Sequence, residues 1–153
     1  MTIEEIIRKW YALASGGNVE ANDIFFRFVA LWIAFNALYT SRHGNEERDW
    51  DQVRSFAEAP QAIACHRRLL QNDEKYRNAV QDLKDRGVYD VRRQTLRTIR
   101  NENNLTQVAR CVYQVRCNLF HGGKSPEDLR DERLVNAGYT IISKLIWPYL
   151  NSN

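Results

Sequence analysis

The sequence predicts an all-α protein, a helical bundle with a core of four or five helices and extra short helices in the middle of the chain. Three observations carry that reading. Apolar residues recur at three- and four-residue spacing along most of the 153 residues. Only seven Gly and three Pro interrupt the chain, which leaves room for long helices. No run of alternating apolar and polar residues gives a strand signal, and neither an internal repeat nor a low-complexity tract is visible.

Ile3, Ile6, Ile7, Trp10 and Leu13 form the apolar face of a first helix, closed by Ser15-Gly16-Gly17-Asn18. A second helix runs from about Asn22 to Thr40. It carries Ile24, Phe28, Leu31, Phe35 and Leu38 in one row, with Phe25, Trp32 and Tyr39 beside it. So wide a stripe predicts a central helix that touches several neighbours. Arg27 and Asn36 fall at its margins, where pairing at the core edge is expected over a role in a cleft.

Asp49 to Ala59, Pro60 to Leu70 and Lys75 to Arg86 read as three short helices, separated by Pro60 and by the polar run 71–74, with Gly87 ending the third. Asp90 reads as the cap of a further helix reaching Ile99, on which Arg93, Arg97 and Arg100 share a face. That row is a candidate for binding nucleic-acid phosphates, against the plainer reading of a solvated basic face. Next, Asn104 caps a helix whose buried stripe is Leu105, Val108, Val112, Val115 and Leu119, stopped by Gly122-Gly123. Ser125, Pro126, Glu127 and Asp128 start the last helix, which buries Leu134, Ile141, Leu145, Ile146 and Tyr149.

Composition bounds the function classes. The length predicts a single domain over 1–153 with one substantial core. A formal charge of +3 permits a polyanionic partner without requiring one. Cys65, Cys111 and Cys117 are an odd set with no paired spacing, so neither a disulfide scaffold nor a metal site is expected, and no cofactor is implied. MTIEEIIRKW lacks the basic-then-apolar pattern of a secretory signal. The apolar stretch from Ile24 to Tyr39 is broken by Arg27 and Asn36 and is shorter than the roughly 20 residues that span a bilayer. The expectation is a cytoplasmic protein without a membrane segment.

The most informative stretch is Arg116-Cys117-Asn118-Leu119-Phe120-His121-Gly122-Gly123-Lys124. At about 100° per residue, Arg116 lies roughly 40° from the centre of the buried stripe of its helix. A permanently charged side chain there needs an anionic partner or a wet cleft. His121 follows at the helix end, with an ordinary pKa near 6.5 suited to moving protons at neutral pH. A fixed cation beside a proton shuttle fits RNA cleavage by attack of a 2′-hydroxyl on its own phosphate, which needs both and no metal. The plainer reading is that Arg116 pairs with a core-edge carboxylate and that His121 favours the helix dipole. A thiol-imidazole pair of Cys117 and His121 is disfavoured, because nothing supplies an oxyanion hole.

The segments YQVRCNLFHGGK, from Tyr113 to Lys124, and FVALWIAFNALY, from Phe28 to Tyr39, together resemble the HEPN superfamily. Its signature is Arg, four to six residues, then His; here the interval is four. The resemblance implies a HEPN-like helical bundle that dimerises so that two motifs share one cleft. It further implies a metal-independent endoribonuclease, often a toxin or a phage-defence effector, with RNA as substrate. A nucleotidyltransferase-like antitoxin is the partner such a toxin would have. Carried over by residue, it makes Arg116 the phosphate-stabilising group and His121 the acid/base. Active members often have a polar residue directly after the Arg. This chain has Cys117 there and Asn118 one step later, which makes Asn118 the candidate for the supporting role. Lys124, with Arg93, Arg97 and Arg100, is the candidate substrate-binding set. Other members have lost activity and serve as nucleotide-binding, RNA-binding or scaffolding modules, the alternative expectation here.

Overall fold

The computed structural model describes residues 2–15, 23–46, 48–90, 92–120 and 129–151. Among them are seven helices and one two-stranded sheet: α1 (Ile3–Ser15), α2 (Ile24–His43), α3 (Asp49–Glu58), α4 (Pro60–Asn72), α5 (Glu74–Arg86), β1 (Val88–Asp90), β2 (Thr95–Arg97), α6 (Leu105–Phe120) and α7 (Leu129–Asn151). The all-α bundle predicted from periodicity is the fold observed.

Helix α2 is the centre, packed against α1, α3 and α7. Its side chain–to–backbone cap is Asp23, which accepts from the Phe25 amide at 2.9 Å. Phe28, Leu31, Trp32, Phe35, Leu38 and Tyr39 are all buried, as the wide stripe requires. Aromatic edges and faces lock the centre: Phe35 meets Trp32, Tyr39 and Phe56 at ring distances of 5.1, 4.9 and 5.0 Å, each near perpendicular. Helix α7 closes the other side with Leu134, Ile141, Leu145 and Ile146 buried. Gly138 of α7 lets Phe28 lie close, since a Cβ there would stand 3.0 Å from its ring.

Helix α2 runs on to His43, twenty residues in all, and is long and apolar enough by length and composition to cross a membrane. The expectation that this stretch is too short is therefore corrected. In the bundle α1, α3 and α7 pack against it and bury one side of it, from Phe28 to Tyr39.

The second correction concerns residues 90–99. Instead of a helix carrying Arg93, Arg97 and Arg100 on one face, the chain forms an antiparallel hairpin with Val88 opposite Arg97, Tyr89 opposite Leu96 and Asp90 opposite Thr95. Gly87 ends α5 with φ of 66°, a left-handed conformation, and a Cβ there would sit 3.0 Å from Leu96. Asp90 accepts from the Arg92 and Arg93 amides at 3.1 and 3.2 Å, so its side chain organises a turn rather than a helix start. The absence of a strand signal in the sequence is thus contradicted over these short strands.

Polar ties fasten the middle helices to the core. Asp73 caps α5 through the Tyr76 amide at 3.0 Å and pairs with Lys144 of α7 at 2.7 Å. His66 is buried, with Nδ1 at 2.5 Å from the Tyr76 hydroxyl and Nε2 at 2.7 Å from the Glu102 carbonyl. The carbonyl can only accept, so Nε2 carries the proton and Nδ1 accepts from Tyr76. Burial lowers the His66 pKa below its ordinary value of 6.5, partly offset by the Glu102 carbonyl.

Two outcomes follow from this packing. Because the unfolded chain takes up the His66 proton more readily than the folded one, stability is complete above about pH 6.5 and declines as pH falls below it. Urea titrations across pH 5–8 should show that slope in the wild type and a flatter one in His66→Gln. Phe35→Ala is expected to cost about 3–5 kcal/mol in the same assay.

Candidate active site

Helix α6 forms as its sequence dictates. Asn104 caps it by accepting from the Gln107 amide at 3.2 Å, and Leu105, Val108, Val112 and Val115 are buried. That stripe fixes the rotation of the helix, leaving Arg116 at the core margin with its side chain 24% exposed. The anionic partner is Asp49, the first residue of α3, whose Oδ2 lies 3.8 Å from Arg116 Nη2. At that separation the attraction is coulombic and no hydrogen bond forms. Aromatic faces complete the setting, with the guanidinium carbon 4.7 Å from the Phe120 ring centre and 5.6 Å from that of Tyr113.

Behind Asp49 stands a relay from α2. The Asn36 amide donates to the Tyr39 hydroxyl at 2.8 Å, and Tyr39 donates to Asp49 Oδ1 at 2.7 Å. Burial, then the bond to Asp49, raises the Tyr39 pKa, so the phenol stays protonated and acts as donor. Asp49 is thereby held in place by one oxygen and faces Arg116 with the other. No hydrogen-bonding oxygen meets the Arg116 guanidinium among the described residues; its Nε is buried without a partner, and Nη1 has only the Cys117 sulfur at 3.9 Å. Among the described residues the donors of this cation are largely unspent.

Beside it opens a cavity of about 670 Å³ between the start of α3, the hairpin and α6. Asp49, Trp50, Tyr113, Gln114, Cys117 and Asn118 line it, with the arginines 48, 92, 93 and 110. Arg116 adjoins the cavity through Asp49, Tyr113 and Cys117 without forming its wall. Arg110 lies over the Trp50 ring at 4.6 Å. Burial, and then the nearby charge of Arg97, lowers its pKa.

The residues singled out by sequence distribute unevenly. Arg93 lies in the hairpin turn and lines the cavity. Arg97 is in β2, 3.6 Å from Asp90, and Arg100 is exposed and forms no part of the wall. Asn118 lines the cavity, yet both ends of its amide hold structure: Oδ1 accepts from Gln114 at 3.0 Å and Nδ2 donates to the Tyr89 carbonyl at 2.9 Å. His121 and Lys124, with Gly122, Gly123 and the start of the last helix at 125–128, lie outside the described residues. Sequence reasoning missed Asp49 as the partner of Arg116, and also Tyr39, Trp50 and Arg110. Asp49 is read there only as the start of a helix, since nothing local joins it to a residue in α6.

Cys65, Cys111 and Cys117 are free thiols, and burial pushes Cys111 up to about 12. Among the described residues no three His, Cys, Asp or Glu side chains converge to hold a metal. Comparison with protein-family models, curated proteins and solved structures finds no match to this chain.

Tyr39→Phe keeps the ring and removes the hydroxyl that joins Asn36 to Asp49. It is expected to cost about 1–3 kcal/mol, read by urea denaturation. Asn36→Ala removes only a half-exposed donor and should cost about 1 kcal/mol or less.

Proposed function

We propose that the chain is a metal-independent endoribonuclease of HEPN type, acting in the cytoplasm as a homodimer in a toxin-antitoxin or phage-defence setting. The observation that carries this reading is Arg116: a guanidinium at the core margin, positioned by Asp49 and two aromatic rings, with no oxygen hydrogen-bonded to it among the described residues. A purely structural arginine would be expected to spend its donors on its carboxylate; this one keeps them for an incoming phosphate. The resemblance of RCNLFHGGK to the HEPN motif supplies His121 as its partner.

In this reading the 2′-oxygen forms a bond to phosphorus as the bond from phosphorus to the 5′-oxygen breaks. The 2′-hydroxyl proton passes to one His121, and a proton is returned to the departing 5′-oxygen from the His121 of the second protomer. Arg116 neutralises the charge that grows on the phosphoryl oxygens, where a preorganised cation contributes most. The products are a 2′,3′-cyclic phosphate and a 5′-hydroxyl.

A second reading is a binding module of the same family without turnover. It is favoured by Asn118, whose amide is committed to Gln114 and Tyr89, and by Cys117 directly after Arg116.

Gel assays of RNA cleavage separate the two. Arg116→Ala and His121→Ala should each reduce cleavage by about a hundredfold or more and relieve toxicity in cells, while EDTA leaves the rate unchanged. Cleavage that survives either substitution contradicts the ribonuclease reading, and RNA binding without any cleavage by the wild type establishes the second.

A further inference from the structure

We propose that the cavity beside Arg116 holds a nucleotide unit of single-stranded RNA that flanks the cleaved one, its base against Trp50 and Tyr113 and its phosphates on Arg48, Arg92 and Arg93. The identity of the ligand as RNA rests on the proposed function; the site itself rests on charge, shape and ring chemistry.

Charge comes first. Both carboxylates in the wall are already engaged: Asp49 by Tyr39 and Arg116, Asp90 by Arg97 and the amides of Arg92 and Arg93. Arg48, Arg92, Arg93 and Arg110 face no carboxylate within 4 Å among the described residues. Four cations around one concavity repel each other, and an anionic ligand relieves that repulsion.

Size and surface narrow the ligand. About 670 Å³ is far more than a small ion needs and falls in the range of sites that enclose a nucleotide. The Trp50 and Tyr113 rings stand 5.4 Å apart at 45°, and Arg110 covers Trp50 at 4.6 Å. Aromatic rings interleaved with arginines are the chemistry that binds unpaired bases and their backbone together. A paired duplex would keep its bases from those rings. The hairpin is what builds the site, since its turn brings Arg92 and Arg93 over to α6 and the start of α3.

The test uses the whole protein and a fluorescein-labelled single strand of 2′-O-methyl RNA, which lacks the attacking hydroxyl and so reports binding without turnover. In anisotropy titrations, R92Q/R93Q should weaken binding about tenfold and flatten the salt dependence of log K by about 1.4, the share of two phosphate contacts. The pair K9Q/R67Q removes the same charge at exposed positions outside the cavity and should stay within about twofold of wild type. All four positions are exposed, so folding is not at stake. Equal losses in the two double variants, or no loss in R92Q/R93Q, would overturn the site. If cavity-dependent binding is found while unmodified RNA stays intact, the site stands and the ribonuclease reading fails; cleavage with cavity-independent binding gives the reverse.

Discussion

A cation held at the edge of a hydrophobic core, with its donors left open among the described residues, is the constraint around which this molecule is arranged. Desolvating Arg116 is costly, and the attraction of Asp49 at 3.8 Å offsets only part of that cost. The remainder is borne by packing: Tyr113 and Phe120 flank the guanidinium, and the core stripe of α6 sets the angle at which it leaves the helix. Asp49 could not hold its position alone, being the first residue of a short helix. The Tyr39 hydroxyl fixes it, and Tyr39 is itself fixed among Trp32 and Phe35 at the centre of the bundle. The position of one surface-facing charge is therefore determined by the deepest part of the core.

The same logic explains why the hairpin and α3 sit where they do. Both pack on α6, and together they wall a cavity next to the arginine. Asn118 stitches α6 to the Tyr89 carbonyl of β1, so the amide that sequence marked for chemistry serves to keep that wall in place. Gln114, which donates to Asn118, is buried. In the proposed mechanism chemistry falls to Arg116 and His121, with the cavity arginines holding the rest of the polyanion.

Most of the fold was legible because helical periodicity is a local signal. The bounds of α3, α4 and α5 fall within a few residues of those expected from Pro60, the polar run 71–74 and Gly87. The hairpin was illegible for a specific reason. A carboxylate that accepts from amides two and three residues ahead is common to helix caps and to turns, so Asp90 fitted both. Strands of three residues are too short for alternation to register, and arginines at 93, 97 and 100 mimic a helical face. At the site, Arg116 was legible from its angle on α6. Its link to Asp49 was not, because an ion pair between residues 67 apart in sequence leaves no spacing to read.

In the proposed mechanism Arg116 keeps its donors for a phosphate undergoing attack by its own 2′-hydroxyl. The most direct test of that mechanism is mass spectrometry of the ends left on a defined RNA after incubation with the purified protein. The expected fragments carry a 2′,3′-cyclic phosphate on one side and a 5′-hydroxyl on the other. Fragments ending in 3′-hydroxyl and 5′-phosphate would mean that water, not the 2′-oxygen, attacks, and would contradict the mechanism.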